Sequence, residues 1–306
     1  MPTLRVNDLD IWYDTQGNPE HPAILLVVGL GTQAIAWPET FCRGLVESGF
    51  YVIRFDNRDN GLSTKLHHLG KPNTLLAVLK LALRMKLVAG YKLDDMAEDA
   101  IGLLNALGIE RAHVVGASMG GMIAQIVAAR YPERILSLTS IMSTSGRRGL
   151  PGPTRAARKV LFAVPPDPLN HDGIIDHFVR TIQVIGSPGY PTPVESLRQR
   201  ISITVKRHLD PVATSRQLLA IGASGDRVAL LQSIRVPTLV IHGLADPLIP
   251  PEGGRDVARL VPGAVLHEIE GMGHDLPDQL NPRLVALIAE HCHAAQDVVE
   301  KVAVQA

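Results

Sequence analysis

Six short apolar runs recur along this chain, separated by stretches with helical periodicity. They are Ala23–Val28, Tyr51–Phe55, Ala112–Gly116, Ile135–Ile141, Thr238–His242 and Val265–Ile269. Runs this short, rich in Val, Ile and Leu, suit strands covered on both faces, as in a parallel sheet between helical layers. Between them, Asp94–Leu107 carries Ala97, Ala100, Ile101, Leu104 and Leu107 on one stripe. Asp94 and Asp95 favour the positive end of that helix, and Gly108 marks its stop. A second helix is predicted to begin right after Ser118 and run towards Tyr131, where Pro132 ends it, and a last one over Pro282–His293. Ahead of the runs, Leu9, Ile11 and Tyr13 alternate after a turn at Asn7-Asp8. Strands alternating with helices argue for an α/β fold with a mainly parallel sheet.

The alternation fails between residues 146 and 233. That stretch opens with Pro151, Pro153, Pro165, Pro166 and Pro168 and continues with helical patches at Ile174–Ile185 and Val194–Lys206. The predicted organisation is a core of residues 1–145 and 234–306 interrupted by a helical cap, 146–233. Ile174, Ile175, Phe178, Ile182, Val184 and Ile185 either wall a pocket or pack the cap onto the core. With 46% apolar and 20% charged residues in 306, a full core can be buried. Basic and acidic residues number 30 each, which gives no hint of a nucleic-acid partner. Cys42 and Cys292 are read as reduced thiols, and the first residues lack the basic and apolar blocks of a signal peptide. Both point to a cytoplasmic protein. Thr74–Gly90 is apolar but interrupted by Lys80, Arg84 and Lys86, too charged to span a membrane. It reads either as a helix packed under the insertion or as a lid element touching lipid.

Gly116-Ala117-Ser118-Met119-Gly120 sits between an apolar run and a helical pattern. Gly-x-Ser-x-Gly in that setting makes a tight strand-to-helix turn that exposes a serine hydroxyl at the carboxyl edge of the sheet. A serine hydroxyl needs a base. Of 12 histidines, His274 lies in a loop after the last predicted strand and so at the same edge. Asp246 follows the preceding strand, giving the order Ser, Asp, His. Asp275 and Asp278 read as loop residues or caps, and His242 as a structural strand-end histidine. His67-His68 and His291-Cys292-His293 fit no common zinc spacing, so no metal is assigned.

On these three loops the chain resembles the α/β-hydrolase superfamily over nearly its whole length. Some members of that family place the acid after the earlier strand, here near Met142–Ser145, and that segment has no carboxylate. Gly29-Leu30-Gly31, Trp37-Pro38 and Asp56–Ser63 look most similar to the esterase branch that includes aclacinomycin methylesterase. Within Asp56–Ser63, Asp59 stands where the family usually has glycine; Asp56 and Arg58 either face substrate or hold their loop by an ion pair or backbone hydrogen bonds. The resemblance implies about eight strands. It also implies an oxyanion hole made by the N–H groups of Met119 and Leu30, although Val28-Gly29 replaces the His-Gly of many relatives. The activity it implies is hydrolysis of a small carboxylic ester of short to medium acyl length, with no cofactor. C–C bond hydrolysis, lactonase and perhydrolase chemistry use the same residues, and a non-catalytic ligand-binding role would be marked by a damaged triad. Epoxide hydrolase and dehalogenase chemistry needs a carboxylate where Ser118 stands.

Overall fold

The computed structural model describes residues 2–73, 76, 77, 79, 80, 83, 85–161, 163 and 170–305. Eight strands form one sheet: β1 (Thr3–Val6), β2 (Leu9–Gln16), β3 (Ala23–Val27), β4 (Tyr51–Phe55), β5 (Ala112–Ala117), β6 (Ile135–Ile141), β7 (Thr238–Gly243) and β8 (Val265–Ile269). Their spatial order is β1-β2-β4-β3-β5-β6-β7-β8. β1 and β2 are antiparallel additions at one edge, and the remaining pairs are parallel. β1 had no apolar run to announce it. It exists because Asn7 and Asp8 both take positive φ (47° and 62°), the geometry of a tight hairpin, and fold Thr3–Val6 back on β2.

Helices cover both faces. On one lie α1 (Glu39–Glu47) and the C-terminal helix Asn281–Gln305, which starts one residue earlier and runs 12 residues beyond the predicted Pro282–His293. On the other lie α2 (Leu93–Ala106), α3 (Met119–Arg130) and the helix Glu252–Leu260. β3 shows why its run had to be continuously apolar. Leu25 and Val27 face the α2–α3 side, Ile24 and Leu26 face α1 and the C-terminal helix, and all four are fully buried. Cys42 and Cys292 sit in the second of these cores as free thiols.

Between β6 and β7 the described chain is helical: α4 (Arg155–Leu161), α5 (His171–Ile185), α6 (Val194–Arg207), α7 (Pro211–Ser224) and α8 (Val228–Ser233). Ile175, Phe178, Val179 and Ile182 of α5 pack on Leu197, Ile201 and Val205 of α6. These residues thus form a small core between two helices of the excursion. The C-terminal helix completes the set as α10, with Glu252–Leu260 as α9.

The segment 74–90, with its expected lipid contact, lies partly outside the described residues. Of those described, Leu79, Leu83 and Val88 are exposed and Leu87 is buried. No described helix is long and apolar enough to cross a membrane.

Candidate active site

β5 ends at Ala117 and α3 begins at Met119, so Ser118 alone makes the turn, with φ 57° and ψ −119°. A non-glycine residue there is strained, and the surroundings must hold it. The Ser118 N–H donates to the Ile141 carbonyl at 2.9 Å, and Ser143 Oγ donates to the Ser118 carbonyl at 2.8 Å. The flanking glycines are required by space. A Cβ on Gly116 would lie 2.1 Å from the Gly120 carbonyl oxygen, and one on Gly120 would lie 2.0 Å from the Val27 oxygen of β3.

The loops after β7 and β8 bring two side chains to this serine. His274 Nε2 lies 3.0 Å from Ser118 Oγ, and His274 Nδ1 lies 2.7 Å from Asp246 Oδ2. Asp246 is buried, and its Oδ1 accepts the N–H groups of Leu248 and Ile249, each at 2.9 Å. An ionised carboxylate only accepts, so the Nδ1 proton belongs between His274 and Asp246, leaving Nε2 to accept from the serine hydroxyl. Residues separated by 156 and 28 positions thus share one hydrogen-bonded line.

Loop 29–33 runs beside the serine: a Cβ on Gly29 would sit 3.3 Å from Ser118 Cβ. Met119 opens α3, so its N–H has no intrahelical acceptor. Among the described residues the Leu30 N–H has no acceptor either.

The neighbouring residues divide as follows. His242 is fully buried and pairs through Nε2 with the Ile249 carbonyl at 2.8 Å, with burial pushing its pKa down. Asp275 does not cap a helix. Its carboxyl accepts from Ser187 Oγ, and burial pushes its pKa up. Asp278 opens a short 3-10 turn and pairs with Arg200. Asp56 and Arg58 do not pair with each other. Asp56 accepts from the N–H groups of Ala34 (2.7 Å) and Leu62 (2.8 Å) and meets Arg207 of α6 at 2.7 Å. Arg58 reaches the other way, to Asp99 of α2, with contacts at 2.5 and 2.8 Å. Asp59 takes φ 69°, a left-handed conformation that favours glycine, and its carboxylate is gripped by Arg216 of α7.

Sequence reasoning missed Arg216, Gln217, Gln33 and Ser187. A faint signal existed for the first two. The buried stripe of α7 reads Ala213, Arg216, Gln217, Ala220, two long polar side chains at positions that small apolar residues frame. Such a pattern asks for buried partners.

The family model described as the alpha/beta hydrolase fold matches residues 22–172. The chain is 27% identical to rhodomycin D methylesterase of Streptomyces peucetius, over 96% of this chain and 99% of that one. It is 23% identical to 3-oxoadipate enol-lactonase 2 of Acinetobacter baylyi, over 88% of each. A meta-cleavage product hydrolase from Pseudomonas fluorescens superposes with a TM-score of 0.74 at 20% identity, covering 96% of this chain and 98% of that one. Strand order, the turn at Ser118 and these likenesses agree: the chain has the α/β-hydrolase fold.

Proposed function

We propose that this protein is a serine hydrolase that transfers an acyl group to water through Ser118, His274 and Asp246, beneath a helical cap of residues 146–233. The observation that carries the reading is the line Asp246–His274–Ser118, with contacts of 2.7 and 3.0 Å, at a strained strand-to-helix turn. In this reading His274 Nε2 takes the Ser118 proton as Oγ bonds to the substrate carbonyl carbon. The oxygen becomes an oxyanion and accepts from the Leu30 and Met119 N–H groups. Collapse breaks the bond to the leaving group, which takes the proton from His274. Water then attacks the acyl-enzyme with His274 as base again, freeing the acid and Ser118. Asp246 holds the imidazole in the required tautomer.

Carbon leaving groups and lactones fit the relatives better than the plain carboxylic ester expected from the sequence. Relatives named as enol-lactonase and 2-hydroxymuconate semialdehyde hydrolase match 88% and 60% of the chain. The ester reading is favoured by one specific observation, the end-to-end likeness to the methylesterase. The partner inferred is a small acyl substrate, and the assigned residues require no cofactor.

The test is turnover of three probes: a nitrophenyl ester series, an enol lactone, and a vinylogous 2-hydroxy-6-oxo-dienoate. Preference for the lactone or dienoate supports the first reading, and preference for the esters supports the second. Ser118→Ala is expected to lose about 10⁴-fold or more on the preferred probe. Undiminished turnover in that variant refutes the mechanism.

A further inference from the structure

We propose that Gln217, on α7 of the cap, is a positioning residue that sets the oxyanion loop. The inference rests on the serine-hydrolase reading above. Gln217 is fully buried, and both ends of its amide are used. Its Oε1 accepts the Gly31 N–H at 2.9 Å, and its Nε2 donates to the Arg58 carbonyl at 3.0 Å. A flipped amide would set donor against donor and acceptor against acceptor, so the orientation is unique.

The consequence follows from the planarity of the peptide bond. The peptide joining Leu30 to Gly31 is held at both ends. Its N–H is fixed by Gln217, and its carbonyl accepts from Thr32 Oγ1 at 3.1 Å. The preceding peptide, which carries the Leu30 N–H, has its carbonyl on Gly29, and that oxygen accepts the Thr32 N–H at 3.3 Å. With two successive planes fixed, the Leu30 N–H has one direction available, and it is the N–H left without an acceptor among the described residues. Val28, ahead of the loop, has no polar side chain with which to order it.

Other contacts tie the same loop to the cap. Gln33 is buried, donates to the Thr204 carbonyl of α6 at 2.9 Å, and accepts from Arg207 at 2.6 Å. Gly31 takes φ +63° so close to α7 that an added Cβ would stand 2.8 Å from Thr214 Cγ2. A cap that lifted as a unit would release the Gly31 peptide, so this cap acts as a fixed brace on the oxyanion loop. Electrostatic stabilisation depends on donors placed before reaction, and a misplacement near 1 Å can cost about 100-fold.

The experiment compares wild type, Gln217→Met, Thr32→Val and the double variant on a nitrophenyl ester. Each is also titrated with a boronic acid, which mimics the tetrahedral intermediate, and with a substrate-like amide. Gln217→Met is expected to lower kcat about 10- to 100-fold with KM within about two-fold. The boronic acid should weaken by a similar factor while the amide does not. Thr32→Val, which removes the other anchor of the same peptide, should give a smaller kcat loss, and the double variant less than the product of the two. Should Gln217→Met fail to fold, Thr32→Val alone must show the kcat-only loss. Unchanged kcat in the variants, or equal weakening of both inhibitors, overturns the proposal. Wild type that neither turns over the ester nor binds the boronic acid would instead defeat the serine-hydrolase reading itself.

Discussion

Replacing Asp59 with glycine should destabilise this protein. Asp59 has φ 69°, so Asp59→Gly relieves a left-handed conformation at a gain of about 1 kcal/mol. Against that stand four hydrogen bonds to a fully buried carboxylate. Arg216 Nε and a second guanidinium nitrogen donate at 2.5 and 2.7 Å, the Leu66 N–H at 2.9 Å and Tyr91 Oη at 3.1 Å. Arg216 is 4% exposed, and without Asp59 it keeps the Gly70 carbonyl at 3.0 Å and a distant Asp210 at 3.8 Å. Breaking a buried pair from one side costs about 3–5 kcal/mol, so the net loss is about 2–4 kcal/mol. Equilibrium urea unfolding at pH 7 of wild type, Asp59→Gly, Arg216→Met and the double variant measures it. The double variant should lose less than the sum of the singles, because each single strands a partner. The dependence on pH has a definite sign. Burial raises the Asp59 pKa, but the Arg216 hydrogen bond, the Leu66 N–H and the Arg216 charge outweigh it and hold the carboxyl below its ordinary 3.8. Its contribution is therefore complete above 3.8 and is lost as acid protonates the folded state. An Asp59→Gly variant as stable as wild type at pH 7 would refute the account.

Three further outcomes are expected. Gly120→Ala places a Cβ 2.0 Å from the Val27 carbonyl, in a strand hydrogen-bonded on both sides, and should yield little folded protein by circular dichroism and gel filtration. Burial pushes the thiols of Cys42 and Cys292 up to about 11 and about 12, so neither should react with a disulfide reagent at pH 8 until the protein is unfolded. Burial pushes His113 down to about 3 from an ordinary 6.5. Stability from this neutral ring is full above 6.5 and is lost as pH falls towards 3, so His113→Gln should flatten the stability–pH curve in that window.

Local signals carried far here. Strand runs buried on both faces are written mostly as apolar residues, continuous in β3 and broken by Ser137, Thr139 and Ser140 in β6. Of the two glycines flanking Ser118, Gly116 is demanded by Gly120, four residues on, and Gly120 by Val27 of the neighbouring strand. Ser118, Asp246 and His274 were legible because each follows a recognisable strand, and a parallel sheet delivers every such loop to one edge. The β1 strand, α1 and α9 left weaker traces, being short and partly polar.

The sequence by itself determined the parallel part of the sheet, the turn that strains Ser118 and the edge where the three side chains gather, because these depend on periodicity and chain order. The tertiary structure alone decided the partners of the buried polar groups. Asp56 met Arg207 and Asp59 met Arg216, while Gly31 met Gln217 across 186 residues. Hydrogen bonds of that kind have no period and no preferred separation. They form wherever packing leaves a buried donor facing a buried acceptor, so they are read from the packed chain and not from the order of its residues.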